Sequence, residues 1–183
     1  KAVYGKTDIS GMFNVPQGYS SQYCIAVNRA TNTVTVYGKG DDGKFTKPIK
    51  AMVCSVGLNG ATPIGQFKTY DYFGEKWCRM VDATYGRYAL RITGSIMFHS
   101  VTYTINQDKS SLQYNEYNKL GSAASHGCVR LSVADAKWLT ENTSSGTIVK
   151  IFDGTLSSDP LGKPTPQKID VNSANRGWDP TDP

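Results

Sequence analysis

The run Ser125-His126-Gly127-Cys128-Val129-Arg130 puts a cysteine two residues after one of the chain's two histidines and directly after a glycine. A cysteine thiol is largely protonated at neutral pH, so attack on a carbonyl needs an imidazole to take its proton. His126 is close in sequence, but two residues apart on a sharp turn the two side chains diverge. The other histidine, His99, closes the apolar run Ile96-Met97-Phe98, where a buried strand emerges. His99 is therefore the expected general base, with the Ser100 carbonyl or side chain as the group that orients it. Gly127 lets the amides of Gly127 and Cys128 converge on a developing oxyanion. Arg130 carries a planar fork suited to a substrate carboxylate, and Ser125 is a second candidate substrate contact.

Each residue alone has a plainer reading. A lone cysteine is usually a small buried hydrophobe, an arginine a surface ion-pair partner, and a serine a turn residue. Their concurrence in six positions, with no histidine beyond His99 and His126, favours a nucleophilic site.

The elements that must position these groups read as short strands. Tyr23–Val27 and Thr33–Tyr37 are β-rich and separated by five residues with an asparagine suited to positive φ, a hairpin pattern. Further strands are expected over 49–56, 65–72, 77–81, 88–92, 95–98 and 146–152, each bounded by Gly, Pro, Asn or Asp. One helix is expected, capped by Ser132 with Asp135 three residues on and ending near Thr143, with Val133, Ala136 and Leu139 on one face. The segment 100–124, with Tyr103, Tyr114 and Tyr117, has no clear periodicity and joins the two histidine-bearing segments; it reads either as a lid or binding wall or as an exposed decoration. Three parts follow: a leading segment or linker over 1–20, a catalytic domain over 21–153, and a Pro-rich extension over 154–183 that either wraps the domain or extends from it.

A chain of 183 residues can bury a single core of this kind, and its eighteen glycines and eleven tyrosines argue against an all-helical protein. The formal charge of +5 is scattered, with no basic run that would mark a nucleic-acid partner, and no apolar stretch reaches the about 20 residues of a membrane span. The four cysteines, at 24, 54, 78 and 128, form no C-x-x-C pair, so neither metal nor other cofactor is expected. Cys54 and Cys78 are the candidate disulfide pair.

The run Ser-His-Gly-Cys-Val-Arg resembles the S/T-H-G-C signature of the L,D-transpeptidase (YkuD) catalytic domain. His99-Ser100 matches that family's upstream histidine, and Thr62-Pro63-Ile64-Gly65-Gln66-Phe67 is similar to its T-P-x-G-x-F stretch. The resemblance implies a mainly β, sandwich-like fold with one or two short helices and an active-site cleft. It implies that Cys128 forms an acyl-enzyme on a peptidoglycan tetrapeptide stem, releases D-alanine and passes the acyl group to a neighbouring stem in a 3→3 cross-link. His99 would be the base, His126 a site-shaping residue, and the 126–128 backbone the oxyanion hole. The alternatives are an L,D-carboxypeptidase that hydrolyses the same acyl-enzyme, and a non-catalytic wall-binding module. The resemblance also implies covalent inhibition by carbapenems and a place at the bacterial cell wall or surface, outside the cytoplasm. A nucleophilic Cys128 with a low pKa is expected to label quickly near neutral pH. The chain departs from the family in having Arg130 where asparagine is common, and in the 29 positions from His99 to Cys128, which point to an insertion within 100–124.

Overall fold

The first two strands are apolar on both faces because both faces are covered. The computed structural model describes residues 11–183 and places β1 (Cys24–Asn28) and β2 (Thr33–Gly38) as an antiparallel hairpin whose strand residues are all buried. Asn32 supplies the positive φ of the turn, at 55°. Ile25, Val27, Val34 and Val36 face the main core, while Cys24, Ala26 and Tyr37 face a second cluster with Phe45 and Ile148. The leading residues Phe13 and Tyr19 cover that outer face, with Phe13 edge-on to Tyr37 and Tyr19 edge-on to Phe45, each at 5.5 Å. The part of the leading segment within 1–10 lies outside the described residues.

The remaining strands are β3 (Lys47–Val53), β4 (Gly65–Lys68), β5 (Tyr70–Tyr72), β6 (Cys78–Arg79), β7 (Tyr85–Gly86), β8 (Leu90–Thr93), β9 (Ile96–Ser100), β10 (Val129–Leu131) and β11 (Ile148–Phe152). They form a five-stranded sheet in the order β3-β2-β1-β11-β4, a four-stranded sheet in the order β10-β9-β8-β5, and a two-stranded ribbon of β6 and β7. The main core draws on both larger sheets, with Val149 and Ile151 from the first and Leu90, Phe98, Val129 and Leu131 from the second. A mainly β sandwich with two short helices, α1 (Tyr114–Tyr117) and α2 (Val133–Asn142), is the fold the sequence pointed to.

The single run expected over 65–72 is divided between the sheets: β4 pairs with β11 and β5 with β8. Thr69, buried at the crossing, accepts the Thr147 amide at 3.1 Å and donates to the Ser144 carbonyl at 3.1 Å, so the corner keeps its hydrogen bonds. In α2, Ser132 Oγ accepts the Asp135 amide at 3.3 Å, and Val133, Ala136 and Leu139 form the buried stripe. All four cysteines are free thiols. The expected Cys54–Cys78 pair is thereby corrected: Cys54 is sealed in the main core, whereas Cys78 sits half-exposed on the β6–β7 ribbon.

The segment 100–124 is anchored in the core at several points and exposed over 104–107. Tyr103 and Tyr117 are core side chains, with Tyr103 4.8 Å from the Trp77 ring. Aromatic burial on this scale fixes the segment to the sandwich. No helix among the described residues is long and apolar enough to cross a membrane.

Candidate active site

Strand parity brings the candidate residues together. β9 and β10 run parallel, with Val129 beside Phe98, Arg130 beside His99 and Leu131 beside Ser100. Side chains alternate across a strand. Phe98, Val129 and Leu131 therefore enter the core, and Met97, His99, Cys128 and Arg130 share the opposite face, where all four line one cavity of about 280 Å3. The other wall of that cavity comes from the β6–β7 ribbon, through residues such as Arg79 and Asp82, and 100–124 contributes only Thr102.

Of the two candidate groups on Ser100, the carbonyl is the one that holds the His99 ring. His99 Nδ1 lies 2.6 Å from Ser100 O, and a carbonyl can only accept, so Nδ1 carries the proton and Nε2 presents its lone pair. The Ser100 hydroxyl is engaged elsewhere, accepting the Arg87 amide at 2.9 Å and donating to the Val101 carbonyl at 2.9 Å. Burial holds the His99 pKa down at about 4 against the Ser100 hydrogen bond, so the ring is neutral at physiological pH. Burial likewise pushes the Cys128 thiol above its ordinary value, outweighing the Met97 amide and the Arg130 and Arg91 charges. The Cys128 thiol donates to the Ser95 carbonyl at 3.3 Å. The resting pair is thus thiol and neutral imidazole, not the low-pKa thiolate expected from the sequence.

The nucleophile's loop is built against the segment 55–62. Leu58 N donates to Ser125 O at 2.9 Å, Ser55 and Arg130 exchange backbone hydrogen bonds, and Thr62 Oγ1 accepts the Gly57 amide at 2.8 Å while donating to the Gly127 carbonyl at 2.6 Å. Gly127 has φ +148°, a backbone conformation that favours glycine. Its amide donates to Ser125 Oγ at 3.1 Å, and that hydroxyl donates to Cys128 O at 2.5 Å. Ser125 therefore braces the loop from a buried position, and the Gly127 amide is engaged within it. Among the described residues the Cys128 amide has no acceptor, so of the two amides named from sequence it is the one available to a ligand oxygen.

His126 lines the same cavity from an exposed position, its Nε2 4.0 Å from Asp82 Oδ2. Burial raises the Asp82 carboxyl, but hydrogen bonds from Thr84 outweigh it and hold the group below its ordinary value. Arg130 is buried and its Nη1 is paired with Glu116 of α1 at 2.7 Å, while Nε has no partner. Glu116 and Asp82, with Thr62 and Gly57, are site residues for which sequence reasoning gave no role. Only Thr62 carried a signal, as the first residue of the T-P-x-G-x-F stretch. No group of three or more His, Cys, Asp or Glu side chains among the described residues could hold a metal.

A buried imidazole on β9 and a thiol just before the parallel strand β10 line one ribbon-walled cleft of a mainly β sandwich, an arrangement that can support acyl transfer through sulfur. The chain belongs to the L,D-transpeptidase catalytic domain family, YkuD, whose sequence model matches residues 22–151. Over 58 residues it is 47% identical to "Putative L,D-transpeptidase YciB" of Bacillus subtilis (strain 168), a match covering 32% of this chain and 28% of that protein. Its fold is similar to that of an L,D-transpeptidase from Mycobacterium smegmatis, with TM-score 0.56 and 18% identity over 73% of this chain and 59% of the other. It is also similar to LD transpeptidase LdtMt1 in complex with imipenem, with TM-score 0.55 and 20% identity over 73% of this chain and 60% of the other. The chain spans less than two thirds of the length of each of these proteins.

Proposed function

We propose that the protein is a cysteine-dependent L,D-transpeptidase that forms 3→3 cross-links in peptidoglycan. The observation that carries this reading is the neutral, Nδ1-protonated His99, held on Ser100 O, on the same sheet face as Cys128. The Cys128 thiol turns from the Ser95 carbonyl toward the cavity, gives its proton to His99 Nε2, and its sulfur attacks the carbonyl of the third stem residue. The Cys128 amide stabilises the oxyanion. Collapse breaks the C–N bond to the terminal D-alanine, whose amine leaves with the proton from His99, and a thioester remains. An acceptor amine from a neighbouring stem gives a proton to His99 and attacks the thioester; the amide forms and Cys128 leaves as the thiol. Of the lining arginines, Arg91 is paired with Asp71 at 3.0 Å and Arg130 with Glu116 at 2.7 Å, which leaves Arg79 as the cation on the cleft wall with no ion-pair partner among the described residues, suited to a stem-peptide carboxylate. Arg130 takes part as a buried charge held by Glu116.

The same nucleophile would be acylated by a carbapenem, which opens its β-lactam ring on the thiol; the complex of LdtMt1 with imipenem supports this reading. The substrate places the enzyme outside the cytoplasm, at the bacterial cell wall. Incubation of the protein and of Cys128→Ala with a tetrapeptide-stem muropeptide, followed by mass spectrometry, tests the proposal. Dimers with loss of D-alanine in the unsubstituted protein alone are expected. Tripeptide monomers alone would assign an L,D-carboxypeptidase, and equal products from Cys128→Ala would refute a role for the thiol.

A further inference from the structure

Residues 154–183 form no strand and are held to the sandwich by polar contacts along their length and by Ile169, which joins the main core. Asp179, 1% exposed, accepts the Val133 amide at 2.9 Å and so caps α2, and Thr181 Oγ1 accepts the Ala134 amide at 3.0 Å. Trp178 Nε1 donates to the Asp182 carbonyl at 2.8 Å. This strap delivers the Asp182 carboxylate into the body of the domain, where it meets Arg87 Nη1 at 2.7 Å with both side chains under a tenth exposed. The same guanidinium takes the Tyr103 hydroxyl at 3.2 Å and lies 5.1 Å from the Trp77 ring.

What Asp182 grips is next to the candidate base. The Arg87 amide donates to Ser100 Oγ at 2.9 Å, and its carbonyl accepts the Ser100 amide at 2.9 Å. Ser100 in turn holds His99 Nδ1 through its own carbonyl. The residue before Arg87 is Gly86, which lies on the imidazole so closely that a Cβ would come 2.8 Å from His99 Nδ1. The residue after it is Tyr88, at φ +52°, a left-handed conformation that a tyrosine keeps only where its surroundings impose it. The 86–88 backbone thus shapes the base's seat in a form it does not prefer by itself, and the Arg87 side chain is its anchor.

We infer that Asp182 is a positioning residue for His99, acting through Arg87 and the 86–88 backbone to set the tautomer and ring plane of the base. The inference rests on the reading of His99 as the general base, although the coupling between strap and imidazole can be measured without it. A buried guanidinium that loses its carboxylate must move toward solvent or find another anion, and either response disturbs the segment that brackets Ser100.

The chain has two histidines, so the 15N resonances of the His99 ring are assigned by comparison with His126→Gln. The charged and titratable groups facing His99 are Arg130, Asp82 and the Cys128 thiol, and all three are unchanged in the variants that follow. In the unsubstituted protein the ring should be neutral and Nδ1-protonated at pH 7. In Asp182→Ala, with the fold checked by circular dichroism, the Nε2-protonated form should appear and the His99 pKa should move up toward its ordinary value. Acylation of Cys128 by imipenem at pH 7 should fall about tenfold to a hundredfold, and Asp182→Glu should recover most of both signals. A folded Asp182→Ala with the ring spectrum of the unsubstituted protein would overturn the inference. If Asp182→Ala does not fold, Asp182→Asn carries the test on the same signals, and an unchanged spectrum there would overturn it equally. His99→Asn that is acylated at full rate would instead refute the base reading, whatever the ring spectra show.

Discussion

Gly57 and Gly127 are packed back to back: a Cβ built on Gly57 would come 2.8 Å from Gly127 Cα and 2.9 Å from Ala61 Cβ. The Cys128 loop can approach the 55–62 segment this closely because Gly57 has no side chain. Gly57→Ala should therefore displace the Cys128 loop, lowering stability by about 1–3 kcal/mol and cross-linking activity by at least as large a factor. Thermal unfolding together with a rate measurement checks this; an unaltered rate would mean that the loop tolerates the shift.

Thr62→Val keeps the shape of the side chain and removes the hydroxyl that joins the Gly57 amide to the Gly127 carbonyl. Both groups are then buried without a partner, at a cost of about 1–3 kcal/mol each. Thr62→Ser, which restores the hydroxyl, should recover most of the loss in a denaturant titration.

The raised Cys128 pKa makes labelling by iodoacetamide slow at neutral pH and faster as pH climbs above the ordinary thiol value of 9.0. Mass spectrometry of labelled peptides reads this directly, and a rate already maximal at pH 7 would contradict the neutral-pair picture. Cys54 should stay unlabelled throughout, since it is fully buried.

His99 gives an acid limb to stability. Its folded pKa of about 4 lies below the ordinary 6.5, so as pH falls through this window the unfolded chain takes up a proton that the folded chain refuses. Stability present above pH 6.5 is then lost progressively toward pH 4, on the order of 3 kcal/mol. Burial raises the Asp135, Asp159 and Asp179 carboxyls, which act in the opposite sense on acidification. The measurement is therefore the difference between the unsubstituted protein and His99→Gln across that window, where the variant should show a flatter slope.

Glu116→Leu strands the Arg130 guanidinium in a site where its side chain is only 6% exposed. A loss of about 3–5 kcal/mol is expected, and the double variant Glu116→Leu/Arg130→Met should regain much of it. If the double variant regains stability and still loses turnover on stem peptides, Arg130 is needed for substrate and not for folding.

The β-rich runs, the Ser132-capped helix and the two histidines were legible because they depend on local pattern: period-two alternation, a cap, a scarce residue type. The place of His99 on the cavity face followed from its position at the end of an apolar run. The 65–72 run read as one strand because its division depends on which partners β4 and β5 find, and no local feature marks the corner at Thr69. Arg130 read as a free fork because its partner, Glu116, lies on a four-residue helix within a segment of no periodicity. The Cys54–Cys78 pairing had only elimination behind it, and sequence carries no distance between a core strand and an outlying ribbon.

By itself, the sequence determined the chemistry available to this protein: one thiol with a glycine before it, two imidazoles, and strands of a parity that puts His99 on the face opposite Phe98. Tertiary structure decided which of those groups are neutral, which are spent in bracing the loop, and what holds the base. The Ser125 hydroxyl is committed within its own loop, whereas the Gly127 carbonyl is held by Thr62, Arg130 by Glu116 and Arg87 by Asp182, partners from other segments of the chain. Local sequence fixes what a side chain can donate or accept; burial and long-range contacts fix what it is left free to do.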